Sequence, residues 1–187
     1  MKRLLIILIL TFSFQNLSKA DDIREFEIEG IAMGNSALDF FSEQKLKTKI
    51  SRPINLKNTL YTQSCFNNYG DLYDRICVAY KKDSSKKIIE SIQAQIRYNE
   101  DVMNVCREEQ RKIDKDLSLL FKNLERKEWG KKPLKSLKDI DPDAYYYPIT
   151  YEFVDKSRSQ VGCYNISNKS ILKVAVYNLE FAIVLRN

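Results

Sequence analysis

Residues 87–124 constrain the fold most, because an alternating strand pattern there runs directly into a long amphipathic helical pattern. Between 87 and 98 apolar and polar side chains alternate, which predicts an antiparallel strand with one buried face and one wet or lightly covered face. The helix is expected to begin at a capping Asn99 and to end near Leu124, with Cys106 on its apolar stripe. Such a helix needs the apolar face of a sheet to cover.

Alternating patterns elsewhere predict more strands, followed by a tail in which helix is favoured over strand. The predicted strands besides 87–98 are 58–66, 72–81, 145–155, 161–166 and 170–178. Residues 125–144 are expected to be a connection. The sequence thus predicts a single α+β domain over 21–187: a mostly antiparallel sheet of five or six strands packed on one long amphipathic helix, with a short N-terminal helical segment.

Residues 1–20 have the pattern of an export signal. Lys2 and Arg3 precede a short apolar run, and Ser18-Lys19-Ala20 supplies the small residues that a signal peptidase requires. We expect cleavage before Asp21, with an uncleaved anchor as the alternative. No later segment is apolar enough to cross a membrane, so we expect a periplasmic or secreted protein that does not span the membrane after cleavage.

The sequence contains four cysteines and no histidine. An even number of cysteines in an exported chain favours disulfide bonds. We favour Cys106 with Cys163, which would fix the helix to the sheet, and Cys65 with Cys77, across a hairpin. Other pairings and free thiols remain alternatives. The absence of histidine weakens zinc catalysis and most general-base chemistry near neutral pH.

The basic residues give little support for a nucleic-acid partner. Loss of Lys2, Arg3 and Lys19 with the signal would lower the formal net charge from +6 to +3. The remaining basic residues are scattered along the chain and form no long stripe with interleaved aromatic residues. We therefore expect no nucleic-acid ligand, and most of these residues are interpreted as solvated turns and loops.

An aromatic-rich region is the best candidate for ligand contact. It comprises Trp129 with Tyr145, Tyr146 and Tyr147, which would offer a platform for a sugar or peptide. The alternative is cross-strand and core packing, which aromatic residues entering a strand commonly provide. No catalytic, cofactor or metal motif is identified. Ser36, in a stretch faintly similar to nucleophile motifs, is interpreted as a helix cap.

Two resemblances accompany these patterns. The run from Ile23 to Glu43, taken with the Cys106 helix, resembles uncharacterised exported proteins of marine alphaproteobacteria, a group that implies no activity. The segment Ile31-Ala-Met-Gly34-Asn-Ser36 is also similar to BamE/SmpA-type envelope domains, which begin with a Gly-Met-Ser/Thr turn and two short helices before a sheet. This chain departs from them, because it lacks the lipid-anchor cysteine and inserts a long helix between strands.

These observations favour a non-catalytic periplasmic protein with an interaction or envelope-associated role. Its partner would be an unidentified protein or envelope component, and no cofactor is expected. The rival hypothesis is a small-ligand binding protein that uses the aromatic-rich region for a sugar or a peptide.

Overall fold

The structure is a computed structural model that describes residues 22–51 and 60–186. The predicted signal, residues 1–20, lies outside the described residues. Across the described ranges, none of the helices has both the length and the apolar character needed to span a bilayer.

The described residues form one large antiparallel sheet and a small hairpin. The strands are β1 (Glu27–Ile28), β2 (Ile31–Ala32), β3 (Ile50–Ser51), β4 (Tyr61–Asn67), β5 (Arg75–Lys81), β6 (Ile89–Arg97), β7 (Glu125–Glu128), β8 (Lys132–Pro133), β9 (Tyr145–Glu152), β10 (Arg158–Ile166) and β11 (Lys169–Tyr177). The α-helices are α1 (Glu43–Thr48), α2 (Met103–Leu120) and α3 (Leu179–Arg186). The first two strands form the hairpin, and the others form a nine-stranded sheet in the order β3-β4-β5-β6-β11-β10-β9-β7, with β8 also paired to β9. The predicted α+β class is therefore confirmed.

The number of strands exceeds the predicted five or six. The six long strands correspond to the six that the alternation predicts, and the additional ones are the short strands β3, β7 and β8. The strands β7 and β8 lie within 125–144, where a connection was expected, and all their residues are exposed. Short exposed segments show no alternation, so only their pairing with β9 identifies them.

A β-bulge corrects the predicted orientation of Ile89. Simple alternation places Ile89 among the polar side chains of its strand, but it is 1% exposed and belongs to the main core. Ala79 pairs with Ser91, whereas the next residue, Tyr80, pairs with Ile89. The extra residue, Glu90, lets the strand turn Ile89 toward the core.

One face of the sheet, called here the first face, is covered by α2 and by residues 22–48. The ring of Phe41 stacks on that of Phe66 with centroids 3.9 Å apart, and Phe26 contacts Phe121 at 5.8 Å. Burial of each large apolar side chain stabilises the fold by roughly 1.5–3 kcal/mol before entropy is subtracted. The first face is therefore the main hydrophobic core.

The helix α2 is shorter than predicted at both ends. It begins at Met103 rather than at Asn99, which is not its cap. The preceding residues stay outside the helix because Ser170 holds them: the Tyr98 N–H donates to the Ser170 carbonyl at 2.9 Å, and the Val102 N–H donates to Ser170 Oγ at 3.1 Å. The contact with β11 thus outweighs the capping tendency of Asn99.

Gln110 is a buried polar residue on the apolar stripe of α2, and its exposed fraction is 0%. Its Nε2 donates to the carbonyl oxygens of Tyr147 at 2.7 Å and Val161 at 2.8 Å. Its Oε1 accepts a hydrogen bond from Arg107. These bonds satisfy the buried amide and connect α2 to both β9 and β10.

The opposite face, called here the second face, is covered at one end by α3, which confirms the helix favoured for the tail. The apolar cluster at this end comprises Tyr61, Ala79, Ala175, Tyr177, Phe181 and Ala182. Ser91 lies beneath it with an exposed fraction of 0%. The expectation of a wet or lightly covered face is therefore wrong at this end.

Both favoured cysteine pairings are confirmed, and they lie on opposite faces of the sheet. The sulfurs of Cys106 and Cys163 are 2.10 Å apart between α2 and the first face. The sulfurs of Cys65 and Cys77 are 2.09 Å apart on the second face, where Cys77 pairs with Gln93 across the strands. Two disulfides are consistent with an oxidising compartment.

Candidate functional site

The structure divides the predicted aromatic-rich region between the two faces. Successive side chains of β9 point to opposite faces, so Tyr146 lies on the second face and Tyr145 and Tyr147 lie on the first. Trp129 follows β7 on the second face, where its Nε1 donates to Thr150 Oγ1 at 3.2 Å. Trp129 and Tyr146 therefore belong to one surface, and the other two tyrosines do not.

Tyr145 and Tyr147 are held in a packing arrangement on the first face. Their rings lie edge to face with centroids 5.8 Å apart. The guanidinium of Arg107 lies 4.7 Å from the centroid of Tyr147, and the ammonium of Lys131 lies 3.8 Å from that of Tyr145. These contacts fit the packing interpretation of the two residues.

Tyr146 stacks on Tyr164, a residue that the sequence patterns did not single out. The two rings are 5.1 Å apart and inclined by 13°. The Tyr164 ring lies across Gly162, because a Cβ added there would meet the ring at 2.9 Å. The absence of a side chain at Gly162 thus allows Tyr164 to lie flat along the sheet toward Gln160, whose Nε2 donates to the Tyr164 hydroxyl at 2.6 Å.

Lysine ammonium groups lie over the rings of this surface. Lys173 Nζ is 4.3 Å from the centroid of Tyr164. Lys127 Nζ and Lys132 Nζ are 4.0 Å and 5.1 Å from the Trp129 ring. Each distance is within the range of cation–π attraction. Two separate aromatic groups on the second face therefore each carry basic side chains.

The strand register extends this basic character across the sheet. Lys173 pairs laterally with Gln95 and Gly162, and Ile171 of the next row pairs with Arg97 and Tyr164. A row here is the set of paired residues that crosses the strands side by side. Between the row of Glu152 and the end of the sheet away from α3, no Asp or Glu of the described strands occupies a second-face position. We call this surface the basic aromatic face; it comprises Trp129, Tyr146, Tyr164, Arg97, Lys127, Lys132, Lys169 and Lys173.

Carboxylates next to the face accept hydrogen bonds from backbone N–H groups or, in the case of Glu152, from the Arg158 side chain. Asp74 Oδ2 accepts the N–H of Arg97 at 2.6 Å, and Asp141 Oδ2 accepts the N–H of Ser167 at 2.6 Å. Glu152, at the α3 end, accepts hydrogen bonds from Arg158. The acidic groups closest to the face are thus used in turns and at its far end.

Burial and like charge act on the cations of the second face. Burial lowers the pKa of the Lys173 ammonium to about 8. Burial, followed by repulsion from Arg97, lowers the pKa of Arg75. Both shifts show that the surroundings disfavour the charged forms. An anion near these groups would offset part of the free-energy cost of keeping them charged.

An open cleft of about 370 Å³ continues the face at its end away from α3. Arg97 and Lys169 line it together with the apolar side chains of Ile166 and Ile171. The cleft is open to solvent and does not enclose a ligand. It extends the basic surface past Tyr164.

Ser36 has the capping role expected of it. Its Oγ accepts the N–H of Leu38 at 3.1 Å and donates to the Lys86 carbonyl at 2.7 Å. Within residues 22–51 and 60–186, no three His, Cys, Asp or Glu side chains are grouped to hold a metal ion. The basic aromatic face is therefore the surface whose chemistry most favours a ligand.

Sequence reasoning missed most of the basic residues of this face. Arg97 and Lys173 each occupy an ordinary polar position of a predicted strand, whereas Lys127 lies in the expected connection and Lys169 just before a predicted strand. A signal was present in the alternation of β11, where Lys169, Ile171 and Lys173 share one side. Only the pairing of the strands shows that these positions lie on the same surface as Trp129 and Tyr146.

No model of a protein family matches the chain, and no curated protein matches it. Among solved structures, the chain is similar to the solution structure of cyanobacterial PsbP (CyanoP) from Synechocystis sp. PCC 6803. The TM-score is 0.36 with 9% sequence identity, and the alignment covers 70% of this chain and 81% of that chain. A likeness of this degree transfers neither fold nor function to this protein.

Proposed function

We propose that this is a non-catalytic binding protein that acts outside the cytoplasm, in the periplasm or after secretion, and binds its partner through the basic aromatic face. The observation that carries the proposal is the convergence of the partly exposed Trp129 and Tyr146 with basic side chains, on a part of the second face where no acidic residue of the described strands projects. Aromatic and basic side chains are enriched where proteins bind partners.

The compartment is inferred from two independent features. Residues 1–20 have the charged start, apolar run and small-residue site of an export signal. The two disulfides favour an oxidising environment. Together they support export, and the non-catalytic role is supported by a chain without histidine.

An extended partner, such as a protein or another envelope component, fits the shape of the face better than a small molecule. The basic aromatic face extends from β6 to β8 across the sheet, and the cleft that continues it is open. Small-molecule sites are usually concave and bury most of the ligand surface. The second candidate, a small sugar or peptide binder, is favoured only by the proximity of Trp129 to polar groups such as Thr150.

The fluorescence of Trp129 tests the proposal, because it is the one tryptophan of the chain and lies in the face. We would titrate the protein with neutral oligosaccharides, with peptides and with anionic polymers. At least one class should give a saturable response that Tyr146→Ala weakens. Tyr145→Ala is the matched control, since this neighbouring tyrosine lies on the first face and its loss should leave binding unchanged.

Two results would contradict the proposal. One is the absence of any response across the panel, confirmed by calorimetry in case the indole is insensitive. The other is an equal loss of binding in Tyr146→Ala and Tyr145→Ala, which would show that the second face has no special role.

A further inference from the structure

We infer that the partner of the basic aromatic face is an acidic polysaccharide, a chain of sugars that carry carboxylate groups, bound across the strands. This inference rests on the proposed binding function and specifies its ligand class. It follows from the charge of the face, the spacing of its cations and the polar groups between them.

The charge of the face requires an anionic ligand. Lys127, Lys132, Lys169, Lys173 and Arg97 project from it, and no acidic side chain of the described strands projects between them. A surface of one sign attracts ligands of the opposite sign and repels ligands of the same sign, so this face favours anions over cations. Carboxylates also form charge-assisted hydrogen bonds with lysine and arginine, which are stronger than neutral ones.

The spacing of the cations requires an extended ligand. Lys173 lies on β11 and Lys127 on β7, with β10 and β9 between them. At about 4.8 Å per strand, the two ammonium-bearing strands are about 14 Å apart. A single small anion cannot contact both ends. A polymer laid across the strands contacts both and passes close to the partly exposed Tyr146 on the way.

The groups between the cations suit sugars. Sugar rings present C–H faces that pack on aromatic rings, and the partly exposed rings of Trp129 and Tyr146 supply such a surface. Tyr164 is buried and supports Tyr146 by stacking against it.

Sugar hydroxyls need hydrogen-bonding partners, and the partly exposed amide of Gln95 lies in the row of Lys173. The Gln160 amide is engaged by Tyr164 and Tyr177. An acidic peptide would use the cations but has fewer hydroxyls to offer the Gln95 amide.

A single-stranded nucleic acid is the strongest competing occupant, because bases also stack on aromatic side chains in basic grooves. The compartment argues against it, since the proposed export and the two disulfides separate this face from cellular nucleic acids. We therefore commit to the acidic polysaccharide and treat the oligonucleotide as an outcome of the test.

The test compares four polymers with the full chain after signal removal: polygalacturonate, dextran, polyglutamate and a single-stranded oligothymidylate. Binding is measured by calorimetry and by Trp129 fluorescence. Polygalacturonate should bind tightest, and its affinity should fall as salt is added. The double variant Lys127→Gln/Lys173→Gln should weaken it on the order of tenfold.

The matched control removes two charges from the opposite side of the molecule. Lys115→Gln/Lys122→Gln alters exposed lysines in the α2 layer and should leave the affinity unchanged. An equal loss in both double variants would show a general charge effect and overturn the inference. Thermal unfolding of each variant verifies that the fold is retained.

The remaining outcomes separate this inference from the proposed function. Equal binding of dextran, or tighter binding of polyglutamate or oligothymidylate, overturns the acidic polysaccharide and leaves a binding face with another ligand. Absence of binding to all four polymers also overturns it. The proposed function itself fails if the broader panel of oligosaccharides, peptides and anionic polymers gives no binding either, or if Tyr146→Ala and Tyr145→Ala lose binding equally.

Discussion

The two disulfides allow a sharp test of how this fold is stabilised. The pairs Cys106–Cys163 and Cys65–Cys77 are separated by 57 and 12 residues in the sequence. In the chain-entropy model a crosslink stabilises by restricting the unfolded chain, and the effect grows with loop length. The model predicts about 4 kcal/mol for the longer loop and about 3 kcal/mol for the shorter one.

The native positions of the two pairs reinforce this difference. Cys65 and Cys77 lie directly opposite each other in neighbouring strands, so the β-ladder holds them together without the bond. Cys106 lies on α2, which is joined to the sheet by side-chain contacts alone. Loss of Cys106–Cys163 should therefore destabilise the protein more than loss of Cys65–Cys77.

The assay is urea unfolding of two double variants, Cys106→Ala/Cys163→Ala and Cys65→Ala/Cys77→Ala. All four cysteines are buried, so loss of the packing of the sulfur atoms should lower the free energy of unfolding of both variants by a similar amount. This contribution largely cancels when the two variants are compared. With a slope of about 2 kcal/mol/M, the first variant should lose roughly 2 M in its unfolding midpoint and the second roughly 1.5 M. An equal or reversed order, or a loss under about 1 kcal/mol for the first variant, would refute the reasoning.

Three further changes test the core and the basic aromatic face. Gln110→Leu should lower the free energy of unfolding by about 1 kcal/mol in urea titrations, because two strand carbonyls each lose a donor. Lys173→Met should raise it at pH 7, by at most roughly 3 kcal/mol for a pKa of about 8 in the folded protein against the ordinary 10.5. Between pH 8 and 10.5 the folded parent binds fewer protons than its unfolded chain, so its free energy of unfolding rises with pH. The stability advantage of the Lys173→Met variant should therefore shrink over this range in unfolding titrations. Gly162→Ala should displace the Tyr164 ring and weaken ligand binding by several-fold without unfolding the protein, as calorimetry and circular dichroism would show.

Local patterns in the sequence were sufficient for the main elements and favoured the α2 disulfide among several possible pairings. The stripe of α2 put Cys106 toward the sheet, and alternation put Cys163 on a strand face, but only the structure excludes the other pairings. The start of α2 was not predictable in the same way. Asn99 is a good cap, and only the contact of Ser170 with residues before Met103 explains why the helix begins later.

The face was harder to predict than the fold, because it depends on strand order. The sheet brings β11, near the end of the chain, between β6 and β10. Lys173 thereby adjoins Gly162 of its own hairpin and Gln95, which is far from both in the sequence. The prediction of ligand contacts at Tyr145, Tyr146 and Tyr147 also treated one run as one surface. A strand divides such a run between two faces.

The positions of the disulfides bear on how the proposed face binds. Cys106–Cys163 anchors α2 against β10 on the first face, and Tyr164 is the next residue on the opposite side of that strand. Cys65–Cys77 joins β4 and β5 in the same row of the second face as Gln93. The disulfide on the first face therefore anchors β10, the strand that carries Tyr164, and the other disulfide crosslinks the neighbouring strands β4 and β5. A platform held in this way loses little freedom when an extended ligand binds, so its cations and rings act as a preformed surface. The lysines over the rings would have to turn from the aromatic faces to the anionic groups of the proposed ligand, which is the main rearrangement that binding would require.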